Sequence, residues 1–507
     1  MLCFIRKVSL WLAVFLALMP LLTPSPAAAQ SSYSVIFLEN AFVKGINNAG
    51  QVVGVMRSNH AFLYSGGVLS LLPDSAPGQN SSEARSINTS GQIAGYLFDN
   101  TGSGTIASAL WSGGNRYDQS NGVWDGINDY GEMAGAFDRD NTHGYHLTLW
   151  KPTVPNGTTG TKYDLGFFSG DPVRINSYGQ IASSHLINSE TILAPFFWTP
   201  TTKSGTTGKR TTLVGPGGEQ WGFAYGINNS GQVIGWSAVD ATHLDIGKPS
   251  HAFLWTPTTS NGTTGSVIDI GKLPGDVGAR PFALNNVGQV VGLSFASPKQ
   301  SDIHAFVWDT VHGMRDLNTL IPANANILVA NTWGINDQGQ IACIAYRNGV
   351  AHSALLTPIY TSKVSGTITL DGWSGPLNQP LTITVRPQGK SEHIETVTLD
   401  SSGHFTLNNV EMSQVTLHIK GSKWLAKNVA VDASKGDVSG VTATLLGGDV
   451  NNDNVVGLDD LGLLADAFDT KPGDALWNDA ADLNGDGVVG LDDLGLLAFN
   501  FDTAGDP

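Results

Sequence analysis

Gly45-Ile46-Asn47-Asn48-Ala49-Gly50-Gln51-Val52-Val53-Gly54 is the stretch whose reading decides the fold. It returns as Ser86-Ile87-Asn88-Thr89-Ser90-Gly91-Gln92 and as Gly126-Ile127-Asn128-Asp129-Tyr130-Gly131-Glu132. Further copies start at Arg174-Ile175-Asn176, Gly226-Ile227-Asn228, Ala283-Leu284-Asn285 and Gly334-Ile335-Asn336. In all seven copies Gly stands three residues after the Asn. That spacing predicts a tight β-hairpin: Asn bonds its own backbone to start a type I turn, and Gly takes the φ > 0 position that closes a bulged hairpin. The small apolar residues that follow, such as Val52-Val53 and Ile93-Ala94, suit a buried strand.

Working outward, each hairpin precedes a second recurring element. It reads His60-Ala61-Phe62-Leu63-Tyr64, His146 to Trp150, His251-Ala252-Phe253-Leu254-Trp255, His304-Ala305-Phe306-Val307-Trp308 and His352 to Leu356. Copies two and four keep the aromatic (Trp111, Trp198) but carry Ala107 and Ala194 in the His slot. A third element recurs as Tyr163-Asp164-Leu165-Gly166, Ile268-Asp269-Ile270-Gly271 and Met314-Arg315-Asp316-Leu317, more weakly near Val68–Leu71, Thr211–Val214 and Arg116–Asp118. A hairpin plus these two strands gives four strands per unit, and units of roughly 40–50 residues are the length of a propeller blade. The expected fold is mainly β, a seven-bladed β-propeller over residues 33–358. Ser34-Val35-Ile36-Phe37-Leu38 matches the fourth-strand element and is expected to complete the last blade, removing a free sheet edge.

The His-Ala-Phe-Leu-Trp element paired with Gly-Ile-Asn-Asn-x-Gly-Gln-Val-Val-Gly resembles the extracellular HAF repeats of bacteria. That resemblance implies a secreted β-repeat domain and no agreed catalytic motif.

The first 29 residues read as a signal peptide. Arg6 and Lys7 precede the apolar run Val8–Leu22, and Ala27-Ala28-Ala29 offers the cleavage site. The run is shorter than the roughly 20 residues of a spanning helix, so a secreted chain with no transmembrane segment is expected. After cleavage Cys343 has no intramolecular partner, and its slot holds Gly or Ser in the other repeats, as a small buried residue would. The formal net charge is −16, and fourteen Asp against one Lys lie between Gly447 and Pro507. The acidity is local, and no basic face offers itself to nucleic acid.

Thr357–Lys363 reads as a linker. Beyond it, short alternating strands near Gly366–Leu370, Leu381–Val385, Glu395–Leu399, His404-Phe405, Val415–Ile419, Asn428–Val431 and Val438–Leu445 predict a small β-sandwich over residues 364–446. It resembles the carboxypeptidase-regulatory type of Ig-like domain, a spacer in many secreted proteins.

The chemistry concentrates in residues 448–505. Asp449, Asn451, Asp453 and Asp460 occupy positions 1, 3, 5 and 12 of a twelve-residue loop; Asp482, Asn484, Asp486 and Asp493 repeat them. Calcium takes six to eight hard oxygen ligands, and the carbonyls of Val455 and Val488 would complete the set. Position 6, Asn454 or Gly487, takes the sharp turn; position 9 is Gly457 or Gly490, so water supplies that ligand. A helix follows each loop, with Leu461, Leu464, Ala465 and Phe468, then Leu494, Leu497, Ala498 and Phe501, on one face. Val455–Ala465 and Val488–Ala498 are identical over eleven residues, which a solvated acidic tail does not explain. Two loop-helix units of this kind, with Asp at position 12, resemble a type I dockerin. The resemblance implies two calcium ions and a cohesin-like partner or cell-surface component, engaged through Leu458 and Asp459 and, in the duplicate, Leu491 and Asp492. The hydroxyl residues frequent at those positions in cellulosomal dockerins are absent here.

Two functions follow. One is a non-catalytic secreted protein whose propeller is a binding platform. The other is a carbohydrate-active enzyme, a glycosyl hydrolase or lyase acting on polysaccharide in the propeller channel. A glycosidase needs two placed carboxylates. Only Glu39, Glu83, Glu132, Glu190 and Glu219 lie in the repeat region, Glu132 fills the Gln slot of its repeat, and no nucleophile elbow is present. The recurring Asp164, Asp269 and Asp316 and the recurring His read as structural. The non-catalytic reading is the stronger, with no catalytic residue assigned.

Overall fold

A computed structural model describes residues 30–73, 81–98, 105–119, 122–138, 145–167, 170, 172–187, 192–243, 245–322 and 325–507. Residues 1–29, the expected signal peptide, lie outside the described residues. The chain is mainly β and divides into two compact units, Ser31–Pro358 and Ile359–Pro507.

In the first unit, strands pair in the order in which they leave the chain, four to an antiparallel sheet. Ala41–Ile46, Val52–Met56, Ala61–Ser65 and Val68–Leu71 form one such sheet, and five more follow in succession up to Asp316. The last set, Ile327–Ile335, Ile341–Arg347 and the start of Val350–Leu370, takes the N-terminal strand Gln30–Leu38 as its fourth member. The expected closure by Ser34–Leu38 is therefore present, with Ser34 Oγ donating to Thr357 O at 3.3 Å. Apolar cores lie between neighbouring sheets. Val53 and Ala61 pack with Ala84, Ile87, Ile93 and Trp111; Leu38, Ala41, Val52 and Phe62 pack with Ala342 and Leu355, joining last to first. The arrangement is propeller-like.

The repeated hairpin is the turn its residues dictate. Gly50 N donates to Asn47 O and Asn47 N to Gln51 O, and the pattern recurs in every copy. The seven hairpin glycines have φ between +71° (Gly50) and +89° (Gly179). The Asn does more than start the turn. Asn47 Oδ1 accepts from the N–H groups of Ala49 and Gln51, while its Nδ2 reaches the carbonyl of Asn88 in the next repeat, 2.9 Å away. The same bond runs from Asn88 to Asn128, Asn128 to Asn176, Asn176 to Asn228, Asn228 to Asn285, Asn285 to Asn336, and from Asn336 back to Asn47. A closed belt of buried asparagines ties the sheets together. Glu132 fills the Gln slot as expected, accepting from Asn128 Nδ2 at 2.7 Å.

The repeated histidines pair with acids. His146 Nδ1 meets Asp164 at 2.9 Å and His251 Nδ1 meets Asp269 at 2.7 Å, so the recurring fourth-strand aspartate is a His partner there. His304 and His352 turn instead to Asp276 and Glu39, and Asp316 caps a short 3-10 turn. Cys343 is fully buried, and burial pushes its thiol far above the usual range.

The expected linker Thr357–Lys363 contains the boundary between the two units, and it is extended strand rather than irregular chain. Ser362 pairs with Val410, and the whole segment belongs to the strand Val350–Leu370. That strand lies between His404–Glu411 and Val438–Leu445, the latter parallel to it. A second sheet orders His393–Thr398, Pro380–Pro387, Gln414–Gly421 and Trp424–Asp432. Val364, Ile368, Phe405 and Leu407 of one layer and Leu381, Ile383, Leu417 and Ile419 of the other share one core. The chain then forms helix α1 (Leu458–Asp466) and helix α2 (Leu491–Phe499) over a small core of Val450, Val456, Leu464, Leu483, Val489 and Leu497.

Candidate metal centre and partner face

The two acidic loops fold onto themselves through matching bonds. Asp453 N donates to Asn451 Oδ1 at 2.9 Å, and Asp486 N to Asn484 Oδ1 at 2.8 Å. Val455 N donates to Asp453 Oδ1 and Val488 N to Asp486 Oδ1, both at 2.9 Å. Asp449 Oδ2 accepts from Asn454 N, and Asp482 Oδ2 from Gly487 N. The position-12 carboxylates bridge loop and helix. Asp460 accepts from Asn451 N and Gly457 N, and Asp493 from Asn484 N and Gly490 N, which caps α1 and α2. Asn454 and Gly487 take φ of 69° and 87°, as position 6 requires; Asn452 and Gly485, at position 4, are also left-handed.

Asp449, Asp460, Asp482, Asn484 and Asp493 are buried, whereas Asn451, Asp453, Val455, Asp486 and Val488 are exposed. Burial pushes the Asp482 carboxyl upward, against the pull of the Gly487 and Gly485 N–H groups and Lys423; nearby Asp493 adds to the rise. Among the described residues no three His, Cys, Asp or Glu side chains converge as a ready-made metal cluster. What each loop offers is two buried carboxylates, an asparagine, a further aspartate and a backbone carbonyl. Asp460 and Asp482 take one N–H bond on each carboxylate oxygen and keep a lone pair there, whereas Asp493 Oδ1 accepts from both Leu483 N and Asn484 N. An all-oxygen set with buried negative charge fits a hard cation.

Sequence reasoning missed two lysines. Lys420 Nζ lies 2.7 Å from Asp449 Oδ2 and 2.7 Å from Asn452 Oδ1 in the first loop. Lys423, only 3% exposed, donates to Asp479 O at 2.6 Å and Asp482 O at 3.0 Å at the second. Lys420 lies at the end of the strand Gln414–Gly421 and Lys423 in the turn that leads to Trp424–Asp432, so one basic stretch serves both loops. The only advance signal was Lys420-Gly421-Ser422-Lys423 itself, a basic turn just ahead of the acidic segment.

The expected helix face needs correcting. Leu464 and Leu497 are buried, but Ala465 and Ala498 are exposed, and Phe468 and Phe501 are 41% and 40% exposed. The helices end at Asp466 and Phe499, so the two Phe lie beyond the last turn and the inward stripe runs through Asp460 and Leu464. Leu458 and Leu491 are each 76% exposed at the helix starts, with Asp459 and Asp492 exposed beside them.

No known family profile matches the chain, and no curated protein matches it. Solved structures do. A mutant type II cohesin-X-dockerin complex from Acetivibrio cellulolyticus is 25% identical over 28% of this chain and 97% of that chain, with a TM-score of 0.25. A sialidase of Trypanosoma rangeli in complex with sialic acid is 9% identical over 83% and 91%, with a TM-score of 0.32. A protein from Lactobacillus plantarum is 14% identical over 63% and 96%, with a TM-score of 0.28. At superposition scores this low the functional reading rests on this chain's own residues.

Proposed function

We propose that this is a secreted, non-catalytic modular protein. Its HAF-like repeats form a seven-bladed propeller that serves as a binding platform, a small Ig-like sandwich acts as spacer, and a type I dockerin-like module holds two calcium ions. Through that module the platform attaches to a cohesin-like module or a cell-surface component. The observation that carries the reading is the duplication of hydrogen bonds in the two loops, which places Asp449, Asn451, Asp453, Val455 and Asp460 in the same relation as Asp482, Asn484, Asp486, Val488 and Asp493. Leu458 and Leu491, apolar and exposed at equivalent points, suit a partner surface. Calorimetric titration of the full chain with calcium should give two equivalents, and Asp453→Ala or Asp486→Ala should each remove one. A chain that takes up no calcium defeats the reading.

A further inference from the structure

The two acidic loops carry the same candidate ligands by residue type. Asp449, Asn451, Asp453, Val455 and Asp460 match Asp482, Asn484, Asp486, Val488 and Asp493, and from the Val onward eleven residues are identical. The loops differ only between those ligands: Val450 against Leu483, Asn452 against Gly485, and Asn454 against Gly487. A difference in how they hold a cation has to come from these positions or from what packs against them.

The surroundings are unlike. At the first loop Lys420 Nζ donates to Asp449 Oδ2 and Asn452 Oδ1, and to Gly421 O and Trp424 O at 2.8 Å each. Gly485, in the place of Asn452, offers the second loop no such side-chain acceptor. Asp449 Oδ2 also accepts from Asn454 N, so both its lone pairs are used. Only Oδ1, which accepts from Asp453 N, keeps one. At the second loop Asp482 Oδ1 accepts from Gly485 N and Oδ2 from Gly487 N, so each oxygen keeps a lone pair. The groups that brace this loop hold its backbone instead. Ser374 N and Oγ donate to Asn484 O at 2.7 and 2.9 Å, and Lys423 Nζ donates to Asp482 O. The carboxylate paired with Lys423 is Asp479, 3.5 Å away and ahead of the loop. Its charge reaches the Asp482 carboxylate through space, not through a bond.

One ammonium thus rests on a candidate ligand and the other does not. The Asp449 side chain is 0% exposed and that of Lys420 19%, so water and salt screen the pair little. We propose that Lys420 makes the first loop the weaker calcium site, so that the loops fill in order, the second before the first. The inference deepens the calcium reading and rests on it. Each loop brings three aspartates to its cation, but at the first Lys420 cancels one of those charges before any metal arrives. Calcium there meets a fixed positive charge beside its position-1 carboxylate, and one free oxygen where the second loop offers two. The cost is about tenfold in affinity, the scale of a unit charge held against a divalent ion across a partly solvated gap. The same lysine keeps Asp449 compensated when the metal leaves.

The test is calorimetric titration of the calcium-stripped full chain with calcium. Two events of unequal affinity are expected, with Asp486→Ala removing the tighter and Asp453→Ala the weaker. In the Asp486→Ala background, where the first loop alone is left, Lys420→Met should tighten binding about tenfold. Lys420→Arg, which keeps the charge, should not tighten it. In the Asp453→Ala background Lys420→Met should leave the affinity of the second loop unchanged. Circular dichroism at saturating calcium checks that each variant is folded. Should Lys420→Met fail to fold, the order read from the two Asp→Ala chains decides alone. Two equal sites, loss of the tighter event in Asp453→Ala, or an unchanged first loop in folded Lys420→Met overturns the proposal. In each of those outcomes the chain still takes up calcium and the metal reading stands, whereas a chain that takes up none defeats both.

Discussion

Asn176 shows how much one side chain of the repeat contributes. Its Oδ1 accepts from Tyr178 N and Gln180 N, and its Nδ2 reaches Gln180 Oε1 and, at 2.8 Å, the carbonyl of Asn228. All of this happens in a residue 2% exposed, where an unmet polar group costs about 1–3 kcal/mol. In the next copy, the glycine three residues after Asn228 is equally constrained. Gly231 has φ +85°, and a Cβ there would stand 2.9 Å from Asn261 Cα and 2.9 Å from Gln180 Oε1. Gly231→Val therefore combines a backbone conformation that β-branched residues avoid with a clash against neighbouring backbone. The backbone share alone is about 1–3 kcal/mol. Thermal unfolding of the variant should show a loss at least that large; a change within error would mean that the turn relaxes freely around the new side chain.

At the scale of elements, the strand Gln30–Leu38 supplies the fourth strand of the final sheet. Tyr33 and Leu38 are 1% and 2% exposed within it. Deleting residues 30–38 removes both from the core and bares the edge of Val350–Leu370. Large-to-small changes at buried sites cost about 2–5 kcal/mol each, so the truncated chain should melt well below the full one. An unchanged melting temperature would show that the ring does not depend on this strand. The strand was legible in the sequence because it copies a motif seen elsewhere in the chain, and the hairpins were legible because turn chemistry is local. Other features needed the third dimension. The Asn-to-Asn bonds join residues 40 or more positions apart, so the turn could be read and the belt could not. Loss of the repeat marks the unit boundary inside Thr357–Lys363, but not the strand pairing of Thr361 and Ser362 with Glu411 and Val410. The inward face of α1 and α2 was misplaced because periodicity was carried past the point where each helix ends.

On the scale of the whole molecule, the loops and the double-layered β region belong to one compact unit, Ile359–Pro507, and Lys420 and Lys423 are among the links that join them. This unit, rather than residues 448–505 alone, is the right object for a calcium test. Severing the chain at Gly447 would strip Asp449 of Lys420 and leave Lys423 without its two carbonyl acceptors. The loops bring buried aspartates together, so the compact state is opposed by carboxylate repulsion and desolvation, and a bound cation offsets both. If the loops hold calcium as proposed, a free concentration a hundredfold above the dissociation constant would make each site add about 2.7 kcal/mol. Two sites then add about 5 kcal/mol, comparable to the whole stability of a small domain. The fragment 359–507 should therefore melt at a clearly lower temperature in chelator than in calcium when followed by circular dichroism. Lys420 refines the expectation, because its ammonium already stands on Asp449. Lys420→Met leaves that carboxylate with no cation once calcium is removed, so the variant should lose more stability in chelator than in calcium. Identical melting of the wild-type fragment with and without calcium would refute the metal assignment. Equal losses for Lys420→Met in both conditions would refute the role given to the lysine while leaving the metal assignment in place.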